Sequence, residues 1–218
     1  SRFGFRGQAV GRRLAVQDRG AGGGGRLPKR AHHRAVYRDL VRRNLDYVIN
    51  MARPYGAKPR WSNLVRLRSD DPPVGEWRDS NAGLGGGMYP YDVNAALVPA
   101  ALDASGRLAA SGLLGDGEDL KALADEAQRL ASTWGKSAPA HFLVSVDQRA
   151  AGKKFAATAA RPSLAPNNAA RAPAGGRIEF PALALDRNGA PIPIMHSDVG
   201  FVLLFGSPAE REIEAAAD

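Results

Sequence analysis

Residues 75–94 constrain the chain more than any other segment. They run Gly75-Glu76-Trp77-Arg78-Asp79-Ser80-Asn81-Ala82-Gly83-Leu84-Gly85-Gly86-Gly87-Met88-Tyr89-Pro90-Tyr91-Asp92-Val93-Asn94 and lead directly into the apolar residues 95–102. The carboxylates Glu76, Asp79 and Asp92, the guanidinium of Arg78 and the rings of Trp77, Tyr89 and Tyr91 share this stretch with five glycines. Loops carry binding and catalytic groups when a rigid element holds them. The competing expectation is a glycine-rich turn between two helices, with Trp77 and Tyr89 as packing residues.

At 218 residues the chain suits one domain, or part of a larger protein. It opens on Ser1 and resembles neither a signal nor a transit peptide, so a start inside a longer protein or a processed end is expected. There is no cysteine, which excludes disulfides and thiolate metal sites and leaves the compartment open. The histidines His32, His33, His141 and His196 show no metal-ligand spacing, no loop has EF-hand spacing, and neither metal nor cofactor is expected. No apolar run reaches membrane-spanning length, so a membrane is not an expected partner. The oligomeric state is not legible.

The net charge of +8 is unevenly distributed. Residues 1–68 hold 17 Lys and Arg against Asp18, Asp39 and Asp46, which leaves a net −6 on the other 150 residues. A basic arm of this kind suits nucleic acid or an anionic surface, but the unusual loop belongs to the mildly acidic part.

Residues 1–33, with their Gly22–Gly25 run, lack apolar periodicity and read as a flexible Gly/Arg-rich segment. A domain over 34–218 comes next. Val41, Leu45, Val48, Ile49 and Ala52 predict a helix over 34–53 that Pro54 ends, with Arg38, Arg42 and Arg43 on its solvated side. Residues 93–104 predict an apolar helix with Asp92 as N-cap and a kink at Pro99. A glycine-rich connection over 105–117 leads to an amphipathic helix over 118–134, with Gly135 past its end. Residues 142–146 suit a short strand and 150–176 a long irregular loop. Residues 177–186 and 192–197 flank Asn188-Gly189 and predict a β-hairpin. Ser207-Pro208-Ala209-Glu210 opens a last short helix. The chain is thus expected to be mainly α, with one inserted β-hairpin near 177–206. No strand–Gly-x-Gly-x-x-Gly–helix pattern supports a nucleotide site.

Glu76 and Asp79 lie three apart beside Trp77 and Arg78, and the hairpin is expected to deliver His196 and Asp198 toward them. Paired acids beside aromatic rings suit glycoside chemistry, in which one acid protonates the leaving oxygen and the other activates water or attacks the sugar. Arg78 could equally pair with Glu76 or Asp79, and His196-Ser197-Asp198 could be a hydrogen-bonded turn. Neither Ser80 nor Ser197 sits in a nucleophile elbow.

The run from Gly75 to Leu102 resembles the six-hairpin glycosidases, the group of glucoamylases, trehalases and debranching-type glucosidases. Phe180-Pro181-Ala182-Leu183-Ala184-Leu185 and His196-Ser197-Asp198-Val199-Gly200-Phe201 are also similar to segments of such proteins. The resemblance covers residues 34–210 and implies an (α/α) toroid, of which a chain this short holds a part. It implies Asp79 as general acid with Glu76 as the alternative. Trp77 and Tyr89 would be stacking walls, Arg78 would orient the acid or bind a hydroxyl, His196 would bind substrate, and Asp92 and Asp198 would bind substrate hydroxyls or serve as the water-activating base. Met88 stands where a basic residue is expected. The implied partner is a carbohydrate, which a non-catalytic member of the same group would bind without cleaving.

Overall fold

The computed structural model describes residues 28–70, 73–74, 76–78, 83–159 and 176–206. Residues 1–27 of the expected flexible segment 1–33, Asp79, residues 160–175 and the expected last helix lie outside the described residues, whereas residues 28–33 are helical rather than flexible. The chain forms two units, residues 1–37 and 38–218. The described part of the first is the opening of helix α1, Pro28–Ala57. The second contains the remaining elements.

The described residues are mainly helical, with small sheets. Pro54 does not end α1, which continues to Ala57. The proline removes one backbone donor, but tertiary contacts hold the last turn. Tyr55 is fully buried against Trp134, with ring centroids 4.4 Å apart, and the Trp134 indole donates to the Ala52 carbonyl at 3.2 Å. Gly56 lies so close to Leu130 that an added Cβ would stand 2.1 Å from its side chain. A 3-10 turn, Trp61–Asn63, and the short paired strands β1, Ser69–Asp70, and β2, Pro73–Val74, lead into the loop.

After strand β3, Tyr89–Pro90, the chain turns into helix at Tyr91, widens into a π-helical turn over Asp92–Leu97, and continues as α2, Val98–Ala110. Pro99 cannot donate to the preceding turn. The wider turn, in which the Val98 amide reaches the Val93 carbonyl, accommodates the irregularity without ending the helix. The helix also runs through the expected connection at 105–110. Ser105 satisfies its hydroxyl on the Ala101 carbonyl, and Gly106 makes room for Gln128. The turn around Gly112 and Gly115, both at positive φ, joins α2 to α3, Glu118–Ser137. The two form a helical hairpin, and Leu45, Ala109 and Ala124 show α1 closing over it. Gly135 is interior to α3 rather than its cap.

A 3-10 turn, Pro139–Phe142, precedes strand β4, Leu143–Asp147. Helix α4, Gln148–Ala159, replaces the start of the expected loop, with the Asp147 carboxylate accepting the Ala150 N–H at 2.9 Å. The expected hairpin arm at 177–186 divides: β5, Arg177–Pro181, pairs with β4, whereas β6, Ala184–Leu185, lies between β3 and β7, Pro191–Ile192. The Asn188-Gly189 turn forms as expected. The Asp186 carboxylate accepts the N–H groups of Asn188 and Ala190, both at 2.8 Å, and Gly189 takes φ +81° above the Trp61 ring. The arm after β7 ends not in a strand but in helix α5, Val199–Phe205, packed on the π-helical turn. No helix among the described residues is long and apolar enough to cross a membrane.

Candidate functional site

The small β3–β6–β7 sheet gathers the site. Tyr89 pairs with Leu185 and Pro90 with Ala184, and the Tyr91 amide donates to the Leu183 carbonyl at 3.1 Å. This fixes the entry to the π-helical turn beside the hairpin that leads on to His196 and Asp198. Asn94 pins the other side. Its Oδ1 accepts the Val65 N–H at 2.8 Å, and its Nδ2 donates to the carbonyls of Val65 and Pro90 at 2.9 and 2.8 Å. Nothing singled Asn94 out in the sequence beyond its being polar in an apolar helix.

The glycines of residues 83–87 answer to this packing. Gly85 and Gly86 take φ +61° and +85°, and a Cβ on Gly87 would stand 2.3 Å from that of Ala184. Their close backbone approach is to the chain itself. Met88 and Tyr89 are core residues, and Tyr89 packs edge-on against Trp61 at 5.7 Å. Tyr89 is therefore no open stacking wall, because its strand turns the ring inward.

Glu76, Asp92 and Asp198 are 8%, 1% and 2% exposed. Arg78 links two of them. Its guanidinium grips Asp198 through Nε–Oδ2 at 3.0 Å and Nη2–Oδ1 at 2.8 Å, and its backbone N–H donates to Glu76 Oε2 at 2.5 Å. The expected ion pair of Arg78 with Glu76 or Asp79 is thus an ion pair with Asp198. The same guanidinium lies 4.1 Å above the Trp77 ring, which also meets Phe201 edge-on at 6.5 Å. Trp77 itself is 60% exposed.

Asp92 is not a solvent-facing cap. It sits inside the first turn, accepts from the Val93 N–H, and leaves Oδ2 buried without a hydrogen bond. Glu76 Oε1 is in the same condition. His196 forms the turn that its sequence suggested: Nδ1 accepts the Asp198 N–H at 3.1 Å, which assigns the proton of the neutral ring to Nε2. The ring packs at 5.0 Å against Tyr91, and Nε2 makes no hydrogen bond of normal geometry.

Charge explains the proton distribution. Arg78 is committed to Asp198, so Glu76 and Asp92 face each other without a cation of their own among the described residues. Burial raises Glu76 to about 7, against the Arg78 N–H and aided by repulsion from Asp92 and Asp198. Burial raises Asp92 as well, so both acids hold a proton more tightly than a free carboxyl does. Burial lowers His196, more than the Asp198 charge raises it. Asp198 raises Arg78, which stays charged. Among the described residues no group of three His, Asp or Glu side chains has metal-binding geometry.

The structure therefore brings together Glu76, Trp77, Arg78, Asp92, His196 and Asp198, leaves Tyr89 in the core, and does not describe Asp79. Two buried acids whose proton affinity burial raises can divide the roles of proton donor and charged partner. Comparison with protein-family models, curated proteins and solved structures gives no match.

Proposed function

We propose that this chain carries a carbohydrate-directed site of the glycoside hydrolase type, on a helical scaffold that is part of an (α/α) toroid. The observation that carries the reading is the Glu76–Asp92 pair, two neighbouring buried acids, each with an oxygen that has no hydrogen-bond donor among the described residues, beside the exposed Trp77. Glycoside cleavage needs one carboxyl protonated and a second ionised, and an exposed indole suits the apolar face of a sugar. Glu76 has the raised proton affinity a general acid requires. Asp79, three residues on, is the alternative donor. Asp92 is the charged partner, and Arg78, His196 and Asp198 frame the pair. The α2–α3 hairpin supports the toroid reading as the kind of unit from which such a ring is built.

A binding site without cleavage is the second reading. It is favoured by the near-complete burial of Asp92, which leaves little room for an attacking water. The basic-arm reading draws less support, since Arg42 and Arg53 pair with Asp119 and Glu126 of α3.

The test uses trehalose, maltoheptaose and 4-nitrophenyl α- and β-glucosides as probes, read by tryptophan fluorescence and by hydrolysis. Cleavage lost in Glu76→Gln together with a fluorescence change lost in Trp77→Ala is the expected result. A fluorescence change without cleavage supports the binding reading. No response to any probe overturns both.

A further inference from the structure

We infer that Asp198 is a positioning residue for Glu76, acting through Arg78, whose side chain it holds and whose backbone N–H orients the Glu76 carboxylate. The two acids stand 122 positions apart in the chain and are joined by one residue between them in space. The fork on Asp198 uses both oxygens of the carboxylate and two nitrogens of the guanidinium, a geometry that fixes the plane of the side chain. The Trp77 ring covers one face of that plane. Held in this way, Arg78 cannot turn its charge toward Glu76 or Asp92.

His196 braces the arrangement from the other side by accepting the Asp198 N–H, and α5 begins immediately after Asp198. The docking of α5 on the π-helical turn thereby reaches Glu76. Among the described residues, the charged and titratable groups acting on Glu76 are Arg78 from its own turn, Asp92 from the helix start and Asp198 from the α5 entry, with His196 against Asp198. In this arrangement Asp198 holds the Arg78 guanidinium away from the acid pair, which favours the protonated form of Glu76.

This role of Asp198 rests on the site of the proposed function, but no sugar is needed to test it. Carbon-13 NMR of glutamate-labelled protein, with Glu76 assigned by its loss in Glu76→Gln, reads the proton directly. In Asp198→Asn the loss of the Asp198 charge and the freed guanidinium, which is expected to turn to the pair, together lower the Glu76 midpoint by about 1–3 pH units. Arg78→Lys, which leaves the Asp198 charge in place, isolates the guanidinium's share. Asp198→Glu, which can rebuild the ion pair, is expected to restore it in part. Arg78→Lys keeps the charge, loses the fork, and is expected to lower the midpoint as well, which serves if the Asp198 variants do not fold. A purely structural Asp198 would lower the melting temperature and leave the midpoint where it is. A folded Asp198→Asn or Arg78→Lys protein with the wild-type Glu76 midpoint overturns the inference. A wild-type protein that responds to no sugar, with a shifted midpoint in these variants, removes the carbohydrate reading and leaves this one standing.

Discussion

Arg78 and Asp198 form a two-point ion pair, at 2.8 and 3.0 Å, between the loop ahead of the first core strand and the start of the last described helix. The Asp198 side chain is 3% exposed and that of Arg78 24%. Breaking a buried pair of this kind leaves an uncompensated charge, so the contact matters more than a surface bridge would. It also decides which acid of the cluster has a cation beside it and which two face each other without one among the described residues.

The first expected consequence is a pH dependence of stability. Glu76 has its native value raised from 4.5 to about 7. Between those values the unfolded chain has released a proton that the native chain keeps, so this group's contribution to stability is complete below 4.5 and declines as pH rises toward 7. The loss is on the order of 2–3 kcal/mol. Urea denaturation of wild type and Glu76→Gln at pH 5 and pH 8 measures it. His141 and His196, lowered by burial, act oppositely in acid, and the difference between the two proteins removes them. Equal pH dependence in both proteins would show that Glu76 titrates normally.

Asn94→Ala is expected to be among the most destabilising substitutions. It strands the Val65 N–H and the carbonyls of Val65 and Pro90. With a buried unsatisfied group worth roughly 1–3 kcal/mol, the loss should be about 3–5 kcal/mol. A urea midpoint near that of wild type would show that water replaces the amide.

Two glycines make a matched pair. Gly87→Ala drives a Cβ against the Ala184 side chain and the Leu84 carbonyl, at 2.3 and 2.9 Å, where neither neighbour is free to move. Gly106→Ala meets only the Gln128 side chain, which can swing away, and alanine favours the helix. The melting temperature should drop for Gly87→Ala and hold or rise for Gly106→Ala. The reverse order would mean that the sheet yields more easily than the helix pair.

Trp77→Ala should leave stability almost unchanged, since the ring is mostly exposed and its contacts are the faces of Arg78 and Phe201. A surface position of this kind is usually worth under about 0.5 kcal/mol, with the lost cation–π contact adding about as much again. A large fall in melting temperature would reassign Trp77 from ligand platform to structural cover for the ion pair.

Local chemistry was legible from the sequence by itself. The apolar repeats of α1 and α3 announced two helices, Asn188-Gly189 announced its turn, and Glu76, Arg78, Asp92, His196 and Asp198 stood out as charged or polar groups in unusual company. Helix ends and pairings were not legible, because contacts far along the chain set them. Trp134 and Leu130 carry α1 past Pro54, and Gln128 packing at Gly106 carries α2 past its expected end. Strand β5 is drawn away from the hairpin by β4. The same holds for the site. Composition could place three acids and one arginine near one another, but only the fold decided that Arg78 faces Asp198. That choice leaves Glu76 and Asp92 buried, without a cation of their own among the described residues, and raised in proton affinity, because the energy of a buried charge depends on which partner the packing places beside it.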